Sequence, residues 1–162
     1  MADHYGNLAA ALDYHQARGN QAWTAAGVDD EKRKAALVRA SQALDALYGA
    51  RYPGVVATAS QDLLWPREGV VWRGDDLPDN VVPAPIEKAT YEFALRELAK
   101  PGSIAPDVAA GPQKVLTEVK GIKWDVVAGS SVTAVLPIVD GLLAELLMPA
   151  PGGTSVTTLL RF

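Results

Sequence analysis

Proline and glycine set the limits on what this chain can fold into: their spacing leaves four stretches with room for a helix and cuts the rest into turns and short strands. The first stretch, Tyr5 to Arg18, is rich in Ala and Leu and stops at Gly19-Asn20. Leu8, Ala11 or Leu12, and His15 recur there at helical spacing, which predicts a helix with a glycine C-cap. In the second, Asp29-Asp30-Glu31 puts negative charge where a helix N-terminus favours it. Leu37, Ala40, Leu44, Leu47 and Tyr48 follow at three- and four-residue steps, and Gly49 ends the helix. Lys32, Arg33 and Lys34 fall on its solvated side. The third opens at Pro83 and Pro85, which fit a first turn where their missing N–H groups are not needed. Ile86, Ala89, Phe93, Ala94 and Leu98 then line one side until Pro101-Gly102 stops it. The fourth, Val135 to Met148, carries charge only at Asp140 and Glu145, so its apolar circumference predicts burial on more than one side.

Between these stretches the chain reads as turns. Arg51 to Asn80 is punctuated too densely for long elements; Ser60–Trp65 reads as one helical turn halted by Pro66, and Val70-Val71-Trp72 as a short strand. Residues 101–113 form a Pro/Gly/Ala-rich loop, and Val115–Val127 alternates around Gly121 as a β-hairpin would. Pro149-Ala150-Pro151-Gly152-Gly153 is a linker, followed by a β-prone tail from Thr154 to Phe162. The expected fold is therefore mainly α. A small helical bundle over residues 1–148 carries a short β-hairpin at about 115–127, and residues 149–162 form an extended C-terminal arm.

Composition narrows the chemistry. The chain of 162 residues has no cysteine, which excludes disulfides, thiol catalysis and thiolate zinc sites. Its two histidines, His4 and His15, are too few for a histidine-rich metal site, and no G-x-S-x-G elbow accompanies Ser130-Ser131 or Ser155. Asp29-Asp30-Glu31 and Asp75-Asp76…Asp79 are carboxylate clusters, but the first suits a helix cap and neither follows a calcium-loop pattern. Gly152-Gly153-Thr154 lacks the lysine of a phosphate loop. The reading is a non-enzyme without metal or cofactor. Charge-free stretches reach about fifteen residues, short of the ~18–20 of a membrane span. No signal peptide opens the sequence, so a soluble protein made in a cytoplasm is expected.

Fifteen Lys+Arg against nineteen Asp+Glu give a net charge of −4, not the basic excess of a dedicated nucleic-acid binder. Trp65-Pro66-Arg67, Trp72-Arg73 and Lys123-Trp124 each set an aromatic beside a cation, the pairing that stacks on single strands. With Asp62, Glu68, Asp75 and Asp76 close by, core packing of the rings with outward cations is the better reading. The tail needs a partner for its backbone. Val156, Thr158, Leu159 and Leu160 are expected to pair along a strand edge of another chain, with Arg161 and Phe162 as anchor.

Several blocks together carry a resemblance. They are Tyr14-His15-x-x-Arg18-Gly19-Asn20-x-x-Trp23, Lys34-x-Ala36-Leu37-x-Arg39-Ala40 and Leu44-Asp45-x-x-Tyr48. Further on come Gln61-x-Leu63-x-Trp65-Pro66-Arg67-x-Gly69, Pro83-x-Pro85-Ile86-x-x-Ala89-x-x-Glu92 and Leu136-Pro137-x-Val139-x-x-Leu142-Leu143. From about Asp13 to Leu147 this order resembles the phage family of DnaT-like single-stranded-DNA-binding proteins. That family is in turn similar to the helical head–tail adaptors of siphophages and gene-transfer agents. The resemblance implies a structural virion protein of the neck: a homo-oligomeric ring, usually of twelve subunits, that joins the portal protein to a tail-side neck protein. Duplex DNA would pass through the channel without sequence-specific binding. Assembly would take place in the host cytoplasm, with no membrane partner. The alternative is a replication accessory that binds single-stranded DNA. The most specific block supplies Gln61, Leu63, Trp65, Pro66, Arg67 and Gly69 as structural motif residues. Trp65 is expected to pack inside its own subunit and Arg67 to make an ion pair or a carbonyl contact.

Overall fold

The computed structural model describes residues 3–104 and 137–149, together with the backbone of 113–118 and 123–127. Helix α1 (Leu8–Gln16) starts where the Asn7 side chain accepts a hydrogen bond from the Ala10 N–H at 2.9 Å. It is shorter than the Tyr5–Arg18 expectation. Tyr5 lies before the helix with its N–H donated to Ser41 Oγ (2.9 Å), so tertiary bonding replaces another helical turn. A 3₁₀ turn (Gln21–Thr24) follows and buries Trp23 completely.

Helix α2 (Asp30–Tyr48) is capped by Asp29, whose carboxylate accepts from the Lys32 N–H at 2.8 Å, with Asp30 and Glu31 in the first turn. Ala36, Leu37, Ala40, Ser41, Leu44 and Tyr48 are buried, one face at helical spacing. Helix α3 (Ala84–Ala99) begins after Pro83 with Pro85 in its first turn and buries Ile86, Ala89, Phe93 and Ala94. Glu97 is also buried: its carboxylate accepts from the Gly102 and Ile104 N–H groups (3.0 and 3.2 Å) and faces Arg39 at 3.2 Å. That carboxylate closes the turn after α3. Among the described residues, helices α2 and α3 make the largest contact between helices, and α1 and α4 (Pro137–Leu143) both rest on α3.

Helix α4 corrects the expectation of a helix over Val135–Met148. After Leu143 the chain turns, with the Leu146 and Leu147 N–H groups both bonded to the Leu143 carbonyl. Met148 is then pulled out of helical geometry by Arg51: its N–H donates to the Arg51 carbonyl (2.8 Å), and Arg51 Nε donates to the Met148 carbonyl (3.0 Å). Nor is the segment buried all round. Val139, Leu143 and Leu146 face the core, whereas Ile138 is 54 % and Met148 45 % exposed. Residues 135 and 136 lie outside the described residues.

The punctuated stretch holds two small antiparallel hairpins. Strand β1 (Val55–Val56) pairs with β2 (Arg67–Glu68), and β3 (Val71–Trp72) pairs with β4 (Asp75–Asp76). Arg73 and Gly74 take φ of +56° and +93°, the two positive values that a two-residue hairpin turn requires. The helical turn expected at Ser60–Trp65 does not form; bends replace it, for a reason given below. The hairpin read near Gly121 is present as β5 (Gln113–Glu118) and β6 (Lys123–Val127), with Leu116 opposite Trp124. Its connecting residues lie outside the described residues, as does the arm over 150–162.

Gly54 shows how tightly the first hairpin is joined. Its φ is +68°, and a Cβ there would stand 2.2 Å from the Glu68 carbonyl oxygen. Gly54→Ala is expected to cost at least about 1–2 kcal/mol from the left-handed backbone alone. Urea denaturation against wild type measures it.

Candidate functional site

The Gln61–Gly69 block is a set of hydrogen bonds built around one half-buried carboxylate. Asp45 projects from the last turns of α2, and the Tyr5 hydroxyl donates to it at 2.7 and 2.8 Å. The Leu64 N–H donates to the same carboxylate at 2.9 Å, and the Trp65 N–H to the Tyr5 oxygen at 3.1 Å. Desolvation raises the Asp45 pKa, opposed by the hydrogen bonds it accepts. Burial and the neighbouring carboxylate push the Tyr5 phenol far above its ordinary range. Tyr52 is buried and likewise raised, first by burial and then by Asp45, although its hydroxyl has no partner at hydrogen-bonding geometry.

Around this carboxylate the motif side chains take up the irregular backbone. Gln61 accepts from the Thr58 N–H (3.0 Å) and donates to the Leu63 and Pro66 carbonyls (2.7 and 3.1 Å). Those bonds, with Asp45 holding Leu64, are why 60–65 bends instead of winding into a helical turn. The Trp65–Pro66 peptide bond is cis. Arg67, only 8 % exposed, donates to the Pro53, Gly54 and Leu64 carbonyls at 2.6, 2.7 and 3.2 Å. Its guanidinium lies 5.9 Å from the Tyr52 and Trp65 ring centres. Desolvation lowers its pKa, and the nearby phenol and carboxylate groups oppose this. Leu63 is buried, Trp65 is 2 % exposed, and Gly69 takes φ +69° in the turn between β2 and β3. The six motif residues are therefore brought together, and their bonds are structural. A cavity of about 260 Å³ adjoins them, with Trp65, Pro66 and Val82 in its wall and His4, Asp62 and Glu87 beside it.

The tail residues Val156, Thr158, Leu159, Leu160, Arg161 and Phe162 lie outside the described residues. Reasoning from the sequence missed Tyr5 and the role of Asp45. Asp45 had a signal, a carboxylate beside the buried positions Leu44 and Tyr48 of an apolar face; Tyr5 had none, since its partners lie far along the chain.

Two of the three aromatic–cation pairs lie within the described residues; the Lys123 and Trp124 side chains lie outside them. Trp23 and Trp65 are buried, and Trp72 is half-buried with the Arg73 guanidinium 4.8 Å from its ring centre. Among the described residues most cations face carboxylates: Arg18–Glu92 (3.9 Å), Lys32–Asp29 (3.9 Å), Arg33–Asp30 (2.6 Å), Lys34–Asp3 (3.5 Å), Arg39–Glu97 (3.2 Å) and Arg73–Glu145 (2.7 Å).

A family model described as "Putative DnaT-like ssDNA binding protein" matches residues 1–161. The chain belongs to that family. No curated protein and no solved structure matches it. In this member of the DnaT-like family, the most specific sequence block serves to anchor a loop to α2. The family description names single-stranded DNA and says nothing of a virion neck.

Proposed function

We propose that the chain is a structural virion protein of a phage neck, a connector subunit that joins the portal to the tail-side neck in a homo-oligomeric ring. Duplex DNA passes through that ring without sequence-specific binding. What supports this reading is that, among the described residues, much of the chemistry a DNA binder would use is committed elsewhere. The indoles of Trp23 and Trp65 are inside the protein, Arg67 is spent on three backbone carbonyls, and six further cations face carboxylates. A single-strand binder needs open rings and a continuous basic groove. A channel wall past which DNA must slide needs neither.

A second reading, a single-strand-binding accessory of replication, is favoured by the family description and by one cleft of about 270 Å³ where Trp72, Arg73 and Lys88 meet. Fluorescence anisotropy with a labelled single-stranded oligonucleotide, at low and at physiological salt, separates the two. The connector reading expects a Kd no tighter than about 10⁻⁵ M at physiological salt. Submicromolar binding with a steep salt slope overturns it. Native mass spectrometry for rings and co-sedimentation with portal-bearing heads test the assembly directly.

A further inference from the structure

We propose that the cavity beside the Gln61–Gly69 block binds an alkylammonium group, a short apolar stem ending in a primary ammonium that pairs with Glu87. Such binding neither needs the connector reading nor supports it. The cavity measures about 260 Å³. An apolar cavity of roughly 150 Å³ holds a benzene molecule, so this one takes a ligand of about six to ten heavy atoms and no longer segment. Half-buried Pro66 and Val82 form apolar wall, with Leu63 buried beside them. Two carboxylates stand at the same cavity: half-buried Glu87, and exposed Asp62, which marks the rim.

Among the described residues no cation and no hydrogen-bond donor meets the Glu87 carboxylate, and burial alone raises its pKa. The other polar groups in the wall are committed. Gln61 is taken up by the Thr58 N–H and by the Leu63 and Pro66 carbonyls, and the Tyr5 hydroxyl by Asp45. His4 has Nδ1 3.4 Å from the Tyr5 carbonyl and Nε2 3.8 Å from Asp3. Lys88, next along α3, lines a separate cleft with Trp72. A carboxylate drawn out of water without a partner costs free energy, which an incoming ammonium recovers as a charge-assisted hydrogen bond. Other ligands fit less well. No three of the described His, Asp and Glu residues stand close enough to hold a metal ion, and a divalent cation would need oxygen ligands where Pro66 and Val82 stand. A nucleic-acid strand would bring its phosphates against two carboxylates. An ammonium on an apolar stem matches both the charge and the wall. Two sources carry that chemistry. One is a free diamine, with its second ammonium at Asp62; the other is a lysine side chain of a partner protein, whose backbone stays outside.

Chemical-shift titration of the isotope-labelled full chain at neutral pH tests the site. The probe n-butylamine is expected to shift the amide signals of Leu63, Val82 and Glu87. Its neutral and anionic counterparts, n-butanol and butyrate, are expected to bind at least about tenfold more weakly. Glu87→Gln keeps the shape of the side chain and removes its charge, so it is expected to weaken the amine at least about tenfold and leave the alcohol unchanged. Circular dichroism checks that the variant is folded, and the amine–alcohol comparison on wild type needs no variant. Putrescine and a capped lysine, Nα-acetyl-lysine methylamide, separate the sources. Putrescine that binds more tightly than n-butylamine, and loses that margin in Asp62→Asn, assigns a free diamine. A capped lysine that matches n-butylamine, with putrescine gaining nothing, assigns the lysine of a partner. Butanol binding as well as the amine overturns the proposal, as does an amine affinity untouched by Glu87→Gln. Cavity signals that stay still, with shifts confined to the exposed acids Asp75, Asp76 and Asp79, overturn it equally.

Discussion

Trp65→Ala is expected to lose about 3–5 kcal/mol of folding stability, the range for truncating a large buried aromatic to a methyl group. The ring is 2 % exposed, meets Tyr52 edge-on at 5.6 Å between centres, and sits under the bonds that hold its own backbone to Tyr5. The cavity left cannot easily collapse, because Arg67 beside it is fixed to three carbonyls. Trp65→Phe is expected to cost much less, about 1–2 kcal/mol, since the indole N–H has no acceptor to lose and the change only reduces volume. Urea or guanidinium denaturation of the two variants measures both. A Trp65→Ala protein that unfolds with wild type would mean the ring contributes nothing to the subunit's own core.

Acid is expected to weaken the fold through His15. The ring is fully buried, 4.5 Å from Trp23 and edge-on to Tyr14 at 5.3 Å between centres. Burial, reinforced by the Arg18 charge, pushes its pKa down from 6.5 to about 4. The Asn20 amide nitrogen lies 3.2 Å from Nδ1, and an amide N–H can only donate, so Nδ1 accepts and the ring proton resides on Nε2. A second proton on Nδ1 would break that bond. Because the folded value is below the unfolded one, the unfolded chain binds the proton first as pH falls. The stability is therefore complete above about pH 6.5 and disappears progressively toward pH 4, a loss of about 3 kcal/mol when complete. Asp45 and Glu87, whose pKa values are raised, act in the opposite sense, so the comparison must be with a variant. Chemical denaturation at pH 7 and at pH 4.5 is expected to show a larger loss for wild type than for His15→Gln. Equal losses would rule out the buried imidazole as the acid-sensitive group.

The motif block shows how far the residues alone carry the reading. A Trp-Pro-Arg run among carboxylates suggests a packed ring and an anchored cation, and both are found. What the run could not supply is the counterpart. Arg67 is held by carbonyls thirteen and fourteen residues away rather than by an acid, and Trp65 is positioned by a tyrosine sixty residues earlier. The cavity was equally invisible, since Glu87 reads in sequence as an ordinary first-turn acid of α3.

The presence of helices α1, α2 and α3 was determined locally, though the Tyr5–Ser41 bond trimmed the start of α1. Asn7 and Asp29 cap within three residues, Pro83 and Pro85 fit a first turn, and apolar spacing picks most of the buried face of each, although Leu47, read on the α2 face, is 37 % exposed. The short strands of 51–80 and the length of α4 were decided by tertiary structure. Asp45 captures Leu64 across nineteen residues, and Arg51 captures Met148 across ninety-seven. Local signals act over one or two turns of chain. A hydrogen bond to a distant group satisfies the same N–H or carbonyl that a helical turn would have used, and which of the two forms depends on where the rest of the fold brings that group.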